Sequence, residues 1–211
     1  MKIAIDINEV LRDTYKKAEF VYEKFFVLES NADKVSLYDE EKGEWIEQED
    51  TEFAHELSLP IDTTDLINHF RFETEDDLYN FFYVDFPMQI FGHASSKSGN
   101  TFNVLNDLYT DLREEHDIIL ISEEVGKSKP ATLFFLSKYG CLVEHIQFYS
   151  PTTVEKIISE FDVIVTANPK IIQYYDNKPI IVKYETLYNK DMSSDYVINT
   201  VDEIDKIIKK I

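Results

Sequence analysis

Met1-Lys2-Ile3-Ala4-Ile5-Asp6-Ile7-Asn8-Glu9-Val10-Leu11-Arg12-Asp13-Thr14 opens the chain, and how these residues are read decides the fold. Ile3 to Ile5 form a short apolar strand that runs straight into Asp6. A carboxylate at the C-terminal edge of a strand is where an α/β protein presents its chemistry. Directly after it, Thr14 to Glu29 (TYKKAEFVYEKFFVLE) places Ala18, Val21, Tyr22, Phe25 and Phe26 at helical spacing with Lys and Glu between them. That pattern predicts an amphipathic helix of about four turns.

Further along, a polar loop precedes TEFAHELSL, read as a short helix ended by Pro60. Thr63 or Thr64 offers an N-cap for another short segment, and Thr74 followed by Asp77 gives Glu73 to Phe82 a weaker form of the capping box. Residues 14–91 therefore read as a mostly helical insertion. From Gly92 onward the pattern alternates. Helices are expected over Phe102 to Glu115, Ala131 to Lys138, Thr152 to Glu160, Ile171 to Asp176 and Val201 to Ile211. Between them lie apolar runs at Asp117 to Ile121, Ile146 to Tyr149, Val163 to Val165 and Ile180 to Val182, continuous enough for strands buried on both faces. Such an order predicts a parallel sheet with right-handed crossovers.

Three later segments stand out beside the first. Ser122 closes the strand DIILIS, Lys129 precedes Pro130 in GKSKPATLFFLSKYG, and FDVIVTANPKII joins a hydrophobic strand to a Pro-containing turn through Thr166-Ala167-Asn168. With the opening strand they resemble, in order, the four motifs of the haloacid dehalogenase (HAD) superfamily. The tail YNKDMSSDYVINTVDEI is similar to the end of its nucleotidase-like phosphatases. The resemblance implies an α/β, HAD-like Rossmannoid core with a parallel sheet, made of residues 1–13 and 92–211, and a cap insertion over residues 14–91.

It also implies roles. Asp6 would be the nucleophile, Ser122 would hydrogen-bond a phosphate oxygen, and Lys129, with Lys127 as an alternative, would neutralise the transferring phosphoryl group. The general acid and base of the family is a second Asp, and here that position is Asn8, which cannot carry a proton. The fourth motif normally adds acidic ligands for Mg²⁺. This chain offers Asn168, so the metal set would be Asp6, Asn8 and Asn168, with Mg²⁺ held weakly or not at all unless Glu123, Glu124 or Glu9 swings in.

Two functions are therefore expected. One is a catalytically degenerate HAD-like protein, a pseudophosphatase with a binding or structural role and a protein partner. The other is an Mg²⁺-dependent phosphohydrolase acting on a nucleotide or other small phosphate. A phosphate ligand bound without turnover is a third reading. Nucleic acid and membrane surfaces are not expected as partners, because the formal net charge of −20 would repel both. Much of that charge lies between Glu29 and Glu56, read as a solvated surface segment or a docking surface for a basic partner.

At 211 residues and 44% hydrophobic content, the chain can bury a core. No run approaches the roughly 20 apolar residues of a membrane span, and the three apolar residues before Asp6 are too few for a signal peptide. Cys141 is the sole cysteine, which excludes an internal disulfide and fits a cytoplasmic setting or a virion interior. A composition rich in Tyr, Phe, Ile, Lys and Asn suits an AT-rich genome such as that of many phages. His93, near the return from insertion to core, is a weaker candidate for the cleft, and the other histidines lack metal-ligand spacing. Phe81, Phe82, Tyr83, Phe86 and Phe91 read either as packing between insertion and core or as an exposed surface.

Overall fold

The computed structural model describes residues 1–28, 37–39, 44–46, 61–175 and 179–211. A six-stranded parallel sheet forms its centre, in the order β5-β4-β1-β6-β7-β8. The strands are β1 Lys2–Asp6, β4 Asp117–Glu123, β5 Ile146–Tyr149, β6 Val163–Thr166, β7 Ile180–Tyr184 and β8 Tyr196–Ile198. Parallel ladders set Ile3 opposite both Ile118 and Val163, and Ile5 opposite Leu120 and Val165. This is the α/β Rossmannoid arrangement around a parallel sheet that the sequence predicts.

Alternation along the strands sends side chains to two cores. Ile3, Ile5, Leu120, Val165 and Val182 pack with Leu105, Leu108 and Leu112 of the helix Thr101–Leu112 (α4), with Phe135 of Ser128–Lys138 (α5) and with Ile204 and Ile207 of Ile204–Ile208 (α8). Ala4, Ile121, Ile164 and Ile181 face the other side, against Ile157 and Ile158 of Val154–Glu160 (α6) and Ile171 and Ile172 of Pro169–Ile172 (α7). Each fully buried Ile or Leu contributes about 1.5–3 kcal/mol of transfer free energy, so a sheet covered on both faces is the natural burial solution for these runs.

Between β1 and α4 a third, aromatic-rich cluster forms. Ala18 and Val21 of Thr14–Tyr22 (α1) meet Phe70, Phe81, Phe82, Ile90 and Phe91, and Ala131 of α5 joins the cluster from the core side. Tyr22 alone has four ring partners, Phe26, Phe70, Phe72 and Phe81. Phe81, Phe82 and Phe91 are thus used for packing. At the root of this segment, Asp13 N–H donates to the Ser95 carbonyl and Lys97 N–H to that of Leu11, so the outgoing and returning chains are tied side by side.

The structure shifts several expected boundaries. Regular α-helix ends at Tyr22, and Glu23–Leu28 continues in wider π-type turns. A short antiparallel hairpin, Leu37–Asp39 (β2) with Glu44–Ile46 (β3), lies inside the segment read as mostly helical. Neither Thr63 nor Thr64 caps Leu66–His69 (α2). Asp65 does, accepting from Asn68 N–H, while Thr63 accepts from Asp65 N–H. For Glu75–Asn80 (α3) the Thr74–Asp77 capping box is present in both directions. Asn168 caps α7 and Pro169 takes its first position, so this helix begins before Ile171 and ends by Ile172. β8, only three residues long, was too short to announce itself in the sequence. The expected helix over residues 51–59 lies outside the described residues.

Candidate active site

Four neighbouring strands end together at one edge of the sheet and bring the predicted residues to it. Asp6 is the last residue of β1, Ser122 and Glu123 close β4, Tyr149 closes β5 and Thr166 closes β6. Register puts Asp6 opposite Ile121, Ser122 opposite Phe148 and Glu123 opposite Tyr149. The topology explains the convergence, because parallel strands expose all their C-terminal ends on the same side.

Asp6 is only 1% exposed, and both its oxygens are occupied. Thr166 Oγ1 donates to Oδ2 at 2.7 Å, and Asn8 N–H donates to Oδ1 at 3.3 Å. Burial pushes its pKa from 3.8 up to about 7; the Thr166 hydroxyl opposes the rise, Glu123 adds to it, and Asn8 N–H and Arg12 pull down more weakly.

Asn8 and Ser122 belong to a closed ring of hydrogen bonds. Arg12 Nη2 donates to Asn8 Oδ1 at 2.6 Å, Asn8 Nδ2 donates to Ser122 Oγ at 3.1 Å, and Ser122 Oγ donates to Glu124 Oε1 at 2.8 Å. Arg12 Nη2 closes the ring on the same Glu124 oxygen at 2.7 Å. Arg12 and Ser122 are fully buried and Glu124 is 1% exposed. The guanidinium is anchored further by Thr14 through Nε and by the Phe91 carbonyl and Thr132 through Nη1. Sequence reasoning missed Arg12, Thr132 and Thr166, and considered Glu124 only as a metal ligand, whereas it pairs with Arg12 and Ser122. One signal was available: Arg12 is one of three arginines among 21 basic residues, and Arg is the cation suited to planar, multi-donor burial.

The loop that carries this ring is itself constrained. Glu9 adopts a left-handed conformation, φ 62°, uncommon for a residue with a side chain. Its carboxylate is held at both oxygens, by Tyr15 N–H at 2.8 Å and Lys97 Nζ at 2.9 Å. Lys97 also reaches Asp13 at 2.7 Å; burial works against its charge, but Glu9 and Asp13 together raise its pKa.

Lys129 stays apart from this group. It is exposed in the first turn of α5, with Nζ 5.7 Å from the centre of the Phe148 ring. Lys127 is exposed as well and reaches the Val84 carbonyl. His93 is exposed and packs its ring on Phe134. The cation beside Asp6 is therefore Arg12, from the loop after β1, and it is already paired.

Asn168 is one link removed from Asp6: its N–H donates to Thr166 Oγ1, which in turn donates to Asp6. Its side-chain oxygen caps Lys170 N–H, and its amide donates to Glu123 Oε2 and Tyr149 OH. Glu123 Oε1 pairs with Lys170 at 3.1 Å. These commitments do not fit a divalent cation, which needs several free charged oxygens around one point. Among the described residues no three His, Cys, Asp or Glu side chains converge in that way. Tyr15, Tyr83, Tyr149 and Tyr188 surround the same carboxylates, and burial, reinforced by those charges, raises all four phenol pKa values so that they remain donors. Tyr188 reaches this position by packing on Tyr15 with ring centres 5.4 Å apart.

No protein-family model and no curated protein matches the sequence. Solved structures do resemble the fold. A haloacid dehalogenase-like hydrolase from Burkholderia xenovorans is 11% identical, with a TM-score of 0.52 over 99% of this chain and 96% of that one. A HAD-superfamily hydrolase of subfamily IA from Geobacter sulfurreducens is 10% identical, TM-score 0.51, over 99% and 96%. A Bacillus subtilis HAD hydrolase bound to magnesium is 13% identical, TM-score 0.51, over 99% and 98%. The fold of the described residues is thus that of HAD-like hydrolases. In this chain the edge of the sheet where such a fold places chemistry is filled by a polar network whose members bond one another, with Glu124 Oε2 as the one buried oxygen of the Arg12–Asn8–Ser122–Glu124 ring left without a partner.

Proposed function

We propose that this chain is a catalytically degenerate HAD-fold protein that serves a binding or structural role, with residues 1–13 and 92–211 as core and 14–91 as cap. One observation carries the reading. Asp6, Asn8 and Ser122, the residues that would attack, move a proton and hold phosphate, spend their hydrogen-bonding groups on Thr166, Arg12, Glu124 and one another. Asn8 cannot act as an acid or base, and the donor set does not suit Mg²⁺. The carboxylates of Asp6, Glu9, Glu123 and Glu124 at the same edge also disfavour a phosphate dianion. Without a metal and a proton carrier, phosphoryl transfer lacks the charge neutralisation and acid catalysis that its transition state needs.

A second reading is favoured by the neutral donors around Asp6. A carboxylate can displace halide from carbon without a metal and without protonating the leaving group, and a dehalogenase captured with an intermediate complex shares this fold at a TM-score of 0.53 and 10% identity.

The test is a turnover panel run with wild type and Asp6→Asn. It measures phosphate release from an aryl phosphate and from nucleotides with Mg²⁺, and chloride release from 2-chloropropionate without it. Equal background in both proteins on every substrate is expected. Phosphate release lost in Asp6→Asn would overturn the proposal, and chloride release lost in that variant would establish the second reading.

A further inference from the structure

We propose that the Glu124 carboxylate is a built-in anion occupying an oxyanion site formed by Arg12, Ser122 and Thr132. The inference rests on the reading of the Asp6 edge as closed to phosphate, and it names the group that closes it. Three donors converge on a single oxygen, Glu124 Oε1: Arg12 Nη2 at 2.7 Å, Ser122 Oγ at 2.8 Å and Thr132 Oγ1 at 2.5 Å. All four side chains are at most 1% exposed. The other oxygen, Oε2, is buried without a hydrogen-bond partner.

A carboxylate that had evolved only to neutralise Arg12 would be expected to use both oxygens in the paired, bidentate geometry that guanidinium favours. Here one oxygen is saturated and the other is left unsatisfied, at a cost. The donors are arranged for an anion, and the fit of Glu124 to them is partial. Ser122 has a central place in this arrangement. Its hydroxyl stands at the end of β4, and Glu124, two residues later, folds back to accept its hydrogen bond. The site therefore supplies its own occupant from the strand that builds it.

Glu124→Ala removes a CH₂–COO⁻ group, four heavy atoms, the size of acetate, and leaves the Arg12 guanidinium and the Ser122 and Thr132 hydroxyls without the acceptor they share. Acetate and inorganic phosphate are the probes, each compared with chloride at equal ionic strength. A saturable rise in the melting temperature of Glu124→Ala, on the order of 5 °C at about 100 mM acetate, is expected, with no rise in wild type. Adding Thr132→Val to the variant should weaken the response about tenfold by removing one donor.

No anion-dependent rise in Glu124→Ala, or an equal rise in wild type, would overturn the proposal. Should Glu124→Ala fail to accumulate in soluble form, its refolding yield gives the same decision. A severalfold higher yield in acetate or phosphate than in chloride supports the site, and equal yields in all three salts sink it. The outcome is separable from the function reading, because an inactive wild type combined with an anion-blind Glu124→Ala removes this inference alone.

Discussion

Asn8 shows how much depends on one atom of a side chain. The ring it joins requires, at that position, an acceptor for Arg12 and a donor for Ser122, and the amide provides both where an ionised carboxylate provides only acceptors. Aspartate would present a second acceptor to Ser122, whose proton is already given to Glu124, and would place another charge beside that carboxylate. Introducing the acidic residue that the motif resemblance implies at this position is therefore predicted to harm the protein: Asn8→Asp should lose about 1–3 kcal/mol of stability in urea unfolding and gain no Mg²⁺-dependent turnover. A stable, active Asn8→Asp variant would show that the ring is incidental.

Asp6 gives a second prediction at the same scale, with its sign fixed by linkage. Its folded pKa, about 7, lies above the ordinary 3.8, so the folded state keeps a proton that the unfolded state releases, and stability falls as pH rises through that window. Asp6→Asn has no such proton. Relative to wild type it should gain on the order of 2–4 kcal/mol between pH 4 and pH 8, measured by urea midpoints at each pH. Glu19, also pushed to about 7 mainly by burial, remains in both proteins, so the difference isolates Asp6. Parallel stability curves for the two proteins would contradict the buried, uncompensated state of Asp6.

At the scale of elements, the connection from β7 to β8 is organised from beneath by a buried cation. Lys183, 2% exposed, donates to the carbonyls of Asn189, Lys190 and Met192, while Asn189 reaches back to the carbonyls of Ala167 and Tyr184. This turn carries Tyr188 to Tyr15 and so to the edge of the site. Lys183→Met keeps the apolar stem but leaves the carbonyls unpaired. A loss of about 3 kcal/mol is expected, with a weakened near-UV signal from Tyr15 and Tyr188. An unchanged near-UV spectrum would mean that the turn holds its shape without Lys183.

Elements of this kind also mark where sequence reading stops. The strands β1, β4, β6 and β7 were visible as apolar runs because their middles are buried on both faces, β5 was visible from its β-branched and aromatic residues although it is a half-buried edge strand, and Thr74–Asp77 was visible because a capping box is local. β8 and the buried role of Lys183 were not, since a three-residue strand and a lysine bonded to distant carbonyls leave no periodic trace. The N-cap at Asp65 was misplaced onto neighbouring threonines because Asp and Thr satisfy the same amide equally well.

Over the whole molecule, the order of motifs along the chain was enough to anticipate a parallel α/β sheet with Asp6 and Ser122 at one edge. It was not enough to anticipate what fills that edge. Arg12 and Glu124 are 112 positions apart, and their pairing depends on β1 and β4 lying side by side. Lys129, read from its place before Pro130, lies in the first turn of α5 with its Nζ near the Phe148 ring.

A sheet edge closed by its own polar groups, as proposed, admits neither metal nor phosphoryl ligands. The most direct test is a thermal melt of wild type with Mg²⁺ and beryllium fluoride, which together mimic a phosphorylated aspartate. A closed edge leaves the melting temperature as it is in buffer, for wild type and for Asp6→Asn alike, whereas a saturable rise that disappears in Asp6→Asn would show that the edge is open to them.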